Sequence, residues 1–379
     1  MLLTRLSRNL SRPARGIRRY AATTTTPAAT VGPPRLAKPE STDRALHDDP
    51  LDGYIDIYQR VFLQPGSFDG LASVDKLYAD YRANAGHVLE HVLPYEAYPA
   101  STRRSDTLHA EPSATEGDGV VLVVHVLQGL DGHVEKMSVC SGFVVGTVQD
   151  GPIDPTVSTD TVVTCAHTLE EMHRHLREPF AALQRSCTFI IPSQGKPKLI
   201  AAVQSSMPRS DLVVMTTVPS KRPPLTSLPV SPFPLAVGSS VLTHIFGSPD
   251  VPDVVRARNR RRPEPLAEPL AEEAPISWLE GKAWRRWGRG ELLGYRSYTG
   301  QEVEAGTSSQ LPHLLTSILP THGSSGGPIL DASTGAVVGM TSGRRMDNRV
   351  EGERGWGAAA EGIFEMFALP GFVPASKRK

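Results

Sequence analysis

From Val120 onward the chain is a succession of short apolar runs, rich in Val, Ile and Thr and separated by Gly, Pro or polar turn residues. They are Val120–Leu127, Gly142–Val148, Thr161–Cys165, Leu199–Val203, Leu212–Thr217, Ser240–Phe246, Leu314–Leu319 and Ala336–Met340. Runs this short, enriched in β-branched residues, suit half-buried pleated strands better than helices. No regular helical pattern alternates with them, which argues against a parallel α/β sheet. The fold class expected is therefore all-β, a barrel or a sandwich. The rhythm breaks at about 250–290. There Arg256, Arg258, Arg260, Arg261 and Arg262 precede Glu264, Glu268, Glu272 and Glu273. Such a stretch cannot bury enough apolar surface to order itself, so it reads as a surface insertion.

Chemistry concentrates in three places. Gly323-Ser324-Ser325-Gly326-Gly327-Pro328 is a glycine-flanked serine turn. Glycine at 323 permits unusual backbone angles, so the N–H groups of Gly323 and Ser325 can converge on one oxygen as an oxyanion hole. A serine hydroxyl is a weak nucleophile until a base takes its proton, and that base needs an orienting carboxylate. Val162-Val163-Thr164-Cys165-Ala166-His167 is an apolar strand ending in such a base. Ser210-Asp211-Leu212-Val213-Val214-Met215 is an acid heading a second apolar strand. The chain order is His, Asp, Ser. Gly-x-Ser-x-Gly is formally present at 323–327, but that order and the missing βα alternation disfavour an α/β-hydrolase.

Together these segments resemble the trypsin-like serine peptidases, more closely the intracellular HtrA/Deg branch than the secreted digestive enzymes. Ser141-Gly142-Phe143-Val144-Val145 is similar to the strand before the catalytic histidine strand, and Val163-Thr164-Cys165-Ala166-His167 to the histidine motif itself. Asp211-Leu212-Val213-Val214 resembles the Asp-led strand. Val237-Gly238-Ser239-Ser240-Val241 with Ile245-Phe246-Gly247-Ser248-Pro249 looks like the strand pair opening a second barrel, and Gly335-Ala336-Val337-Val338-Gly339-Met340 like the strand after the nucleophile. The likeness implies two six-stranded antiparallel β-barrels over about residues 115–370. It also implies a triad of His167, Asp211 and Ser325, with Gly323 and Ser325 as oxyanion donors. Leu319 would lie near the floor of the specificity pocket, His322 at its rim, and Ser342 would hydrogen-bond Asp211. An apolar floor implies cleavage after small or medium apolar residues. No cofactor or metal is expected, and the partners implied are protein or peptide substrates rather than nucleic acid.

Departures from the family are informative. Ser324 stands where relatives carry Asp or Asn. Cys140 falls where secreted relatives place a half-cystine, but its partner position is Thr168, so that disulfide cannot form. The residues after 343 are too few for a PDZ domain. A catalytically silent binding protein that keeps the scaffold is the competing expectation.

The rest of the chain bears on location. Residues 1–39 contain no acid, and Arg5, Arg8, Arg12, Arg15, Arg18 and Arg19 fall within the first 20. That composition reads as a mitochondrial transit peptide over 1–20, with the matrix as destination. Its removal takes six of 40 basic residues and leaves 34 against 40 acids, a net charge of −6. A Thr/Ala/Pro-rich linker follows over 21–50, then a partly helical extension over 51–110, with its clearest helical pattern at Leu77–Val92. Three cysteines, Cys140, Cys165 and Cys187, make no disulfide framework, in keeping with a reducing compartment. No run approaches the roughly 18 apolar residues of a membrane-spanning helix.

Overall fold

The computed structural model describes residues 71–93, 119–129, 134–147, 157–177, 185–192, 197–246, 285–304, 312–348 and 352–368. The Arg-rich leader, the linker, most of the 51–110 extension and nearly all of the 250–290 insertion lie outside these residues. Among the described residues no helix is long and apolar enough to cross a membrane.

Six antiparallel strands close the first barrel: β2 (Val120–Gln128), β3 (Val134–Val145), β4 (Thr161–Cys165), β5 (Arg185–Pro192), β6 (Lys198–Met207) and β7 (Leu212–Thr217), in the order β2-β3-β4-β7-β6-β5. Every residue of β2 is buried, which explains why its sequence is a continuous apolar run rather than an alternating one. Successive side chains point to opposite faces. Thus Val121, Val123 and Leu127 join one apolar cluster, while Leu122, Val124 and Val126 join another that also takes Phe246 from the second barrel.

The second barrel uses β8 (Ser240–Phe246), β9 (Arg285–Arg296), β11 (His313–Thr316), β12 (Pro328–Asp331), β13 (Val337–Asn348) and β14 (Gly352–Ala359). The ring β9-β11-β14-β13-β12-β8 is closed by pairing of β8 with β9, and the short β10 (Glu302–Val303) lies beside β9. The two six-stranded antiparallel barrels expected from the resemblance are therefore present. Several strands run differently from the sequence reading. β5, β9 and β14 have no counterpart in it, and β13 extends to Asn348 instead of ending at Met340. Arg285–Gly290, assigned to the insertion, begins β9.

The extension also departs from expectation. Its helix, α1, spans Val74–Ala83, and residues 89–92 form a strand, β1, instead of continuing it. Asn84 and Gly86 stop the helix, Gly86 with a positive φ of 74°. β1 pairs in parallel with β15 (Phe367–Ala368), which follows the short helix α3 (Ala360–Phe364). α1 packs on α2 (His167–Leu176), where Tyr81 donates to Glu170 at 2.7 Å and Tyr78 stacks on His173 at 3.7 Å. Residues 71–93 therefore brace the helix that starts at His167.

Candidate active site

Register brings the first two site residues together. β4 and β7 are antiparallel with Cys165 opposite Leu212, so the exit of β4 must meet the entry of β7. Pro208–Ser210 forms a 3-10 turn, and Asp211 ends it at φ 59°, the one non-glycine residue with positive φ among the described residues. Asp tolerates that conformation better than most residues, and such strain concentrates at functional positions. Asp211 Oδ1 accepts from the backbone N–H of Ala166 at 3.0 Å and of His167 at 2.9 Å. The carboxylate thereby caps α2 at its positive end. Its other oxygen, Oδ2, lies 2.7 Å from His167 Nδ1. A carboxylate can only accept here, so the ring proton sits on Nδ1 and Nε2 presents a lone pair. Burial lowers the His167 pKa, but the hydrogen bond and charge of Asp211 outweigh it, and the net shift is upward from 6.5.

The serine turn docks against the end of β4. Ser141 N–H donates to the Ser325 carbonyl at 2.8 Å, and Gly326 N–H donates to the Thr341 carbonyl at 2.7 Å. Gly326 has φ 86°, and a Cβ there would run into the Ser141 carbonyl and come within 3.0 Å of Cys165 N. Only glycine allows this approach, which lands the turn two residues from His167. The N–H groups of Ser324, Gly326 and Gly327 are all committed to backbone carbonyls. Among the described residues those of Gly323 and Ser325 donate to nothing. Two unspent donors two residues apart, one of them on the serine itself, are what stabilising an oxyanion calls for.

Ser324 is fully buried and structural. Its hydroxyl accepts from Phe246 N–H at 2.9 Å and lies 2.9 Å from Thr321 Oγ1, which itself donates to the Phe246 carbonyl. No periodicity or motif marks this network in the sequence.

One expectation needs correction. Ser342 does not reach Asp211: its carbonyl accepts the Ser325 hydroxyl at 3.2 Å, while its own buried hydroxyl has no partner among the described residues. The chain at 342 turns its backbone, rather than its side chain, toward the site. Leu319 is 43% exposed and His322 is also exposed. Arg344 donates from Nε to the Pro320 carbonyl at 2.6 Å, which ties residues 342–344 to the segment leading into the turn. Among the described residues no hydrogen bond joins Ser325 to His167, whose Nε2 instead has Cys165 Sγ at 3.9 Å. Cys165 Sγ, His167 and Asp211 offer donor atoms within 4.8 Å of one another. Burial pushes the Cys165 thiol well above its ordinary pKa.

The family model described as "Trypsin-like peptidase domain" matches residues 140–340, more than half of the 379 residues. The chain belongs to this family. The matched segment of the peptidase domain holds His167, Asp211 and Ser325, and membership makes it a serine protease by fold, with protein substrates. Among solved structures, the Rv3671c protease of M. tuberculosis in its active form is 17% identical. The match covers 71% of this chain and 86% of that one with a TM-score of 0.38. Deg5 is 17% identical, with 71% and 94% covered and a TM-score of 0.38. The family assignment rests on the sequence match. No curated protein matches the peptidase chain.

Proposed function

We propose that the chain is an active serine endopeptidase with His167, Asp211 and Ser325 as its triad. The observation that carries this reading is the 2.7 Å bond between Asp211 Oδ2 and His167 Nδ1, made where the Ser325 turn docks on the first barrel. In the reaction Ser325 Oγ leaves the Ser342 carbonyl, gives its proton to His167 Nε2 and attacks the scissile carbonyl. Asp211 stabilises the imidazolium that forms. The N–H groups of Gly323 and Ser325 hold the developing oxyanion. His167 then protonates the leaving amine, and water attacks the acyl-enzyme by the same route reversed. We also propose cleavage after small or medium apolar residues, because Leu319, six positions before Ser325, carries no counter-charge for Lys or Arg.

The competing reading, a silent scaffold, is favoured by one observation: the Ser325 hydroxyl rests on the Ser342 carbonyl rather than on His167. Hydrolysis of a peptide library separates the two. Turnover by the wild type that disappears in Ser325→Ala supports the enzyme, and cleavage that persists in that variant removes it. No turnover by folded wild type supports the scaffold.

We further propose import into the mitochondrial matrix, from the acid-free, Arg-rich first 20 residues, and a role there in protein processing or quality control. Radiolabelled precursor offered to isolated mitochondria should be shortened and become protease-resistant. A precursor that stays full-length and accessible contradicts this.

A further inference from the structure

The two barrels meet through a buried chain of polar atoms at the serine turn. Ser141, in β3 of the first barrel, and His244, in β8 of the second, are both almost completely inaccessible to solvent. Ser141 Oγ donates to the Gly323 carbonyl at 2.7 Å and lies 3.1 Å from His244 Nδ1. The proton positions follow from elementary inventory. A carbonyl can only accept, and a serine hydroxyl has one hydrogen to give. That hydrogen is spent on Gly323, so the bond between Ser141 and His244 must take its proton from Nδ1. His244 therefore carries a proton on Nδ1, and the order of donation is His244, Ser141, Gly323.

We infer that Ser141 and His244 are positioning residues that hold the oxyanion turn in its productive shape. The Gly323–Ser324 peptide is gripped at both ends, its carbonyl by Ser141 Oγ and its N–H by the Thr321 carbonyl at 3.1 Å. Gly323 has φ 84° and no Cβ to resist rotation, so without the grip on its carbonyl this peptide is the easiest part of the turn to flip. A flip would point a carbonyl oxygen toward the position that an oxyanion must occupy. Ser141 also holds the far side of the turn, through its N–H on the Ser325 carbonyl at 2.8 Å. His244 is itself kept in place. Its Nδ1 lies 3.1 Å from where a Cβ on Gly327 would stand, and Trp287 meets its ring edge-on at 5.9 Å. A hydroxyl at 141 thus converts the packing of the second barrel into the aim of two backbone donors.

The catalytic consequence rests on the peptidase reading above, whereas the proton arrangement does not, so the test has two arms. In 15N NMR of the whole chain at neutral pH, His244 should show a protonated Nδ1, and its signals should move in Ser141→Ala. A bare Nδ1 with the proton on Nε2 alone overturns the relay whatever the enzyme does. In steady-state kinetics Ser141→Ala should lower kcat about 10- to 100-fold, below the effect of deleting an oxyanion donor outright, with KM within about twofold. His244→Gln, which keeps an N–H donor, should retain more of kcat than His244→Leu, which has none. That pair also decides the matter if Ser141→Ala fails to fold. Unchanged kcat in folded Ser141→Ala, or equal losses in the two His244 variants, contradicts the inference. A protonated Nδ1 in a wild type with no turnover would sink the peptidase reading while leaving the relay standing.

Discussion

The first barrel is closed by strands whose large side chains fill its interior, whereas the second is closed by strands that leave side chains out. Val163, between Phe143 and Val214 across β3, β4 and β7, is fully buried, as are its partners. In the second barrel Gly355 and Gly357 on β14 stand where a Cβ would strike the Ile318 and Met340 carbonyls, and Gly288 and Gly290 on β9 stand where one would strike Ile245 and Ile318. The first arrangement suits a base that must not move: strand register brings His167 to Asp211, whose carboxylate also caps the helix that His167 starts. The second suits a turn that must present backbone N–H groups, because glycines let chains approach closely and adopt left-handed angles. The proposed general base belongs to the densely filled barrel and the proposed nucleophile to the barrel of close-packed backbone.

The largest effect that can break this comparison is on catalysis. His167→Ala and Ser325→Ala should each lower kcat by about 10⁴-fold or more, and the double variant should lose little beyond either single one, because the pair acts as a unit. Additive losses in the double variant would mean that the two barrels do not supply one machine. Stability comes next and should respond with opposite sign to side-chain volume. Phe143→Ala removes contacts and should destabilise by about 3–5 kcal/mol, while Gly357→Ala adds a methyl and should destabilise by about 1–3 kcal/mol. Denaturant unfolding measures both, and a neutral Gly357→Ala would refute the close-packing account of the second barrel.

Two smaller effects depend on pH and on the brace. His167 must be neutral to accept a proton, and Asp211 holds its pKa above 6.5, so kcat/KM should fall on acidification through a midpoint above that value. A midpoint below it would detach Asp211 from the base. In the second barrel, burial pushes the pKa of His313, stacked on Trp356, down to about 4. For a depressed histidine the unfolded chain binds the proton first, so stability is full above pH 6.5 and declines toward about 4. His313→Phe should flatten that decline. Tyr81→Phe, which removes the hydroxyl on Glu170, should lower stability by about 1 kcal/mol, the smallest change expected.

The same contrast explains what could be read beforehand. β4, β7 and β8 coincide with the apolar runs Thr161–Cys165, Leu212–Thr217 and Ser240–Phe246, because side chains that face apolar surroundings on both sides leave a dense hydrophobic signature. β9 reads Arg-Arg-Trp-Gly-Arg-Gly-Glu-Leu-Leu-Gly-Tyr-Arg and β14 reads Gly-Glu-Arg-Gly-Trp-Gly-Ala-Ala. They are strands because their neighbours need room, which a single sequence does not display. At the site, the proposed triad residues His167, Asp211 and Ser325 each sit in a recognisable motif. The bond of Ser342 was misread because what matters there is a carbonyl, and every residue has one. Ser141 and His244 were illegible as a pair because a bond across 103 positions leaves no local pattern.

The central claim is that Ser325 is a nucleophile activated by His167. Folded protein treated with a fluorophosphonate should gain one covalent adduct, located on Ser325 by peptide mass spectrometry, absent in Ser325→Ala and strongly slowed in His167→Ala. A wild type that remains unmodified, or one equally modified after His167→Ala, would contradict it.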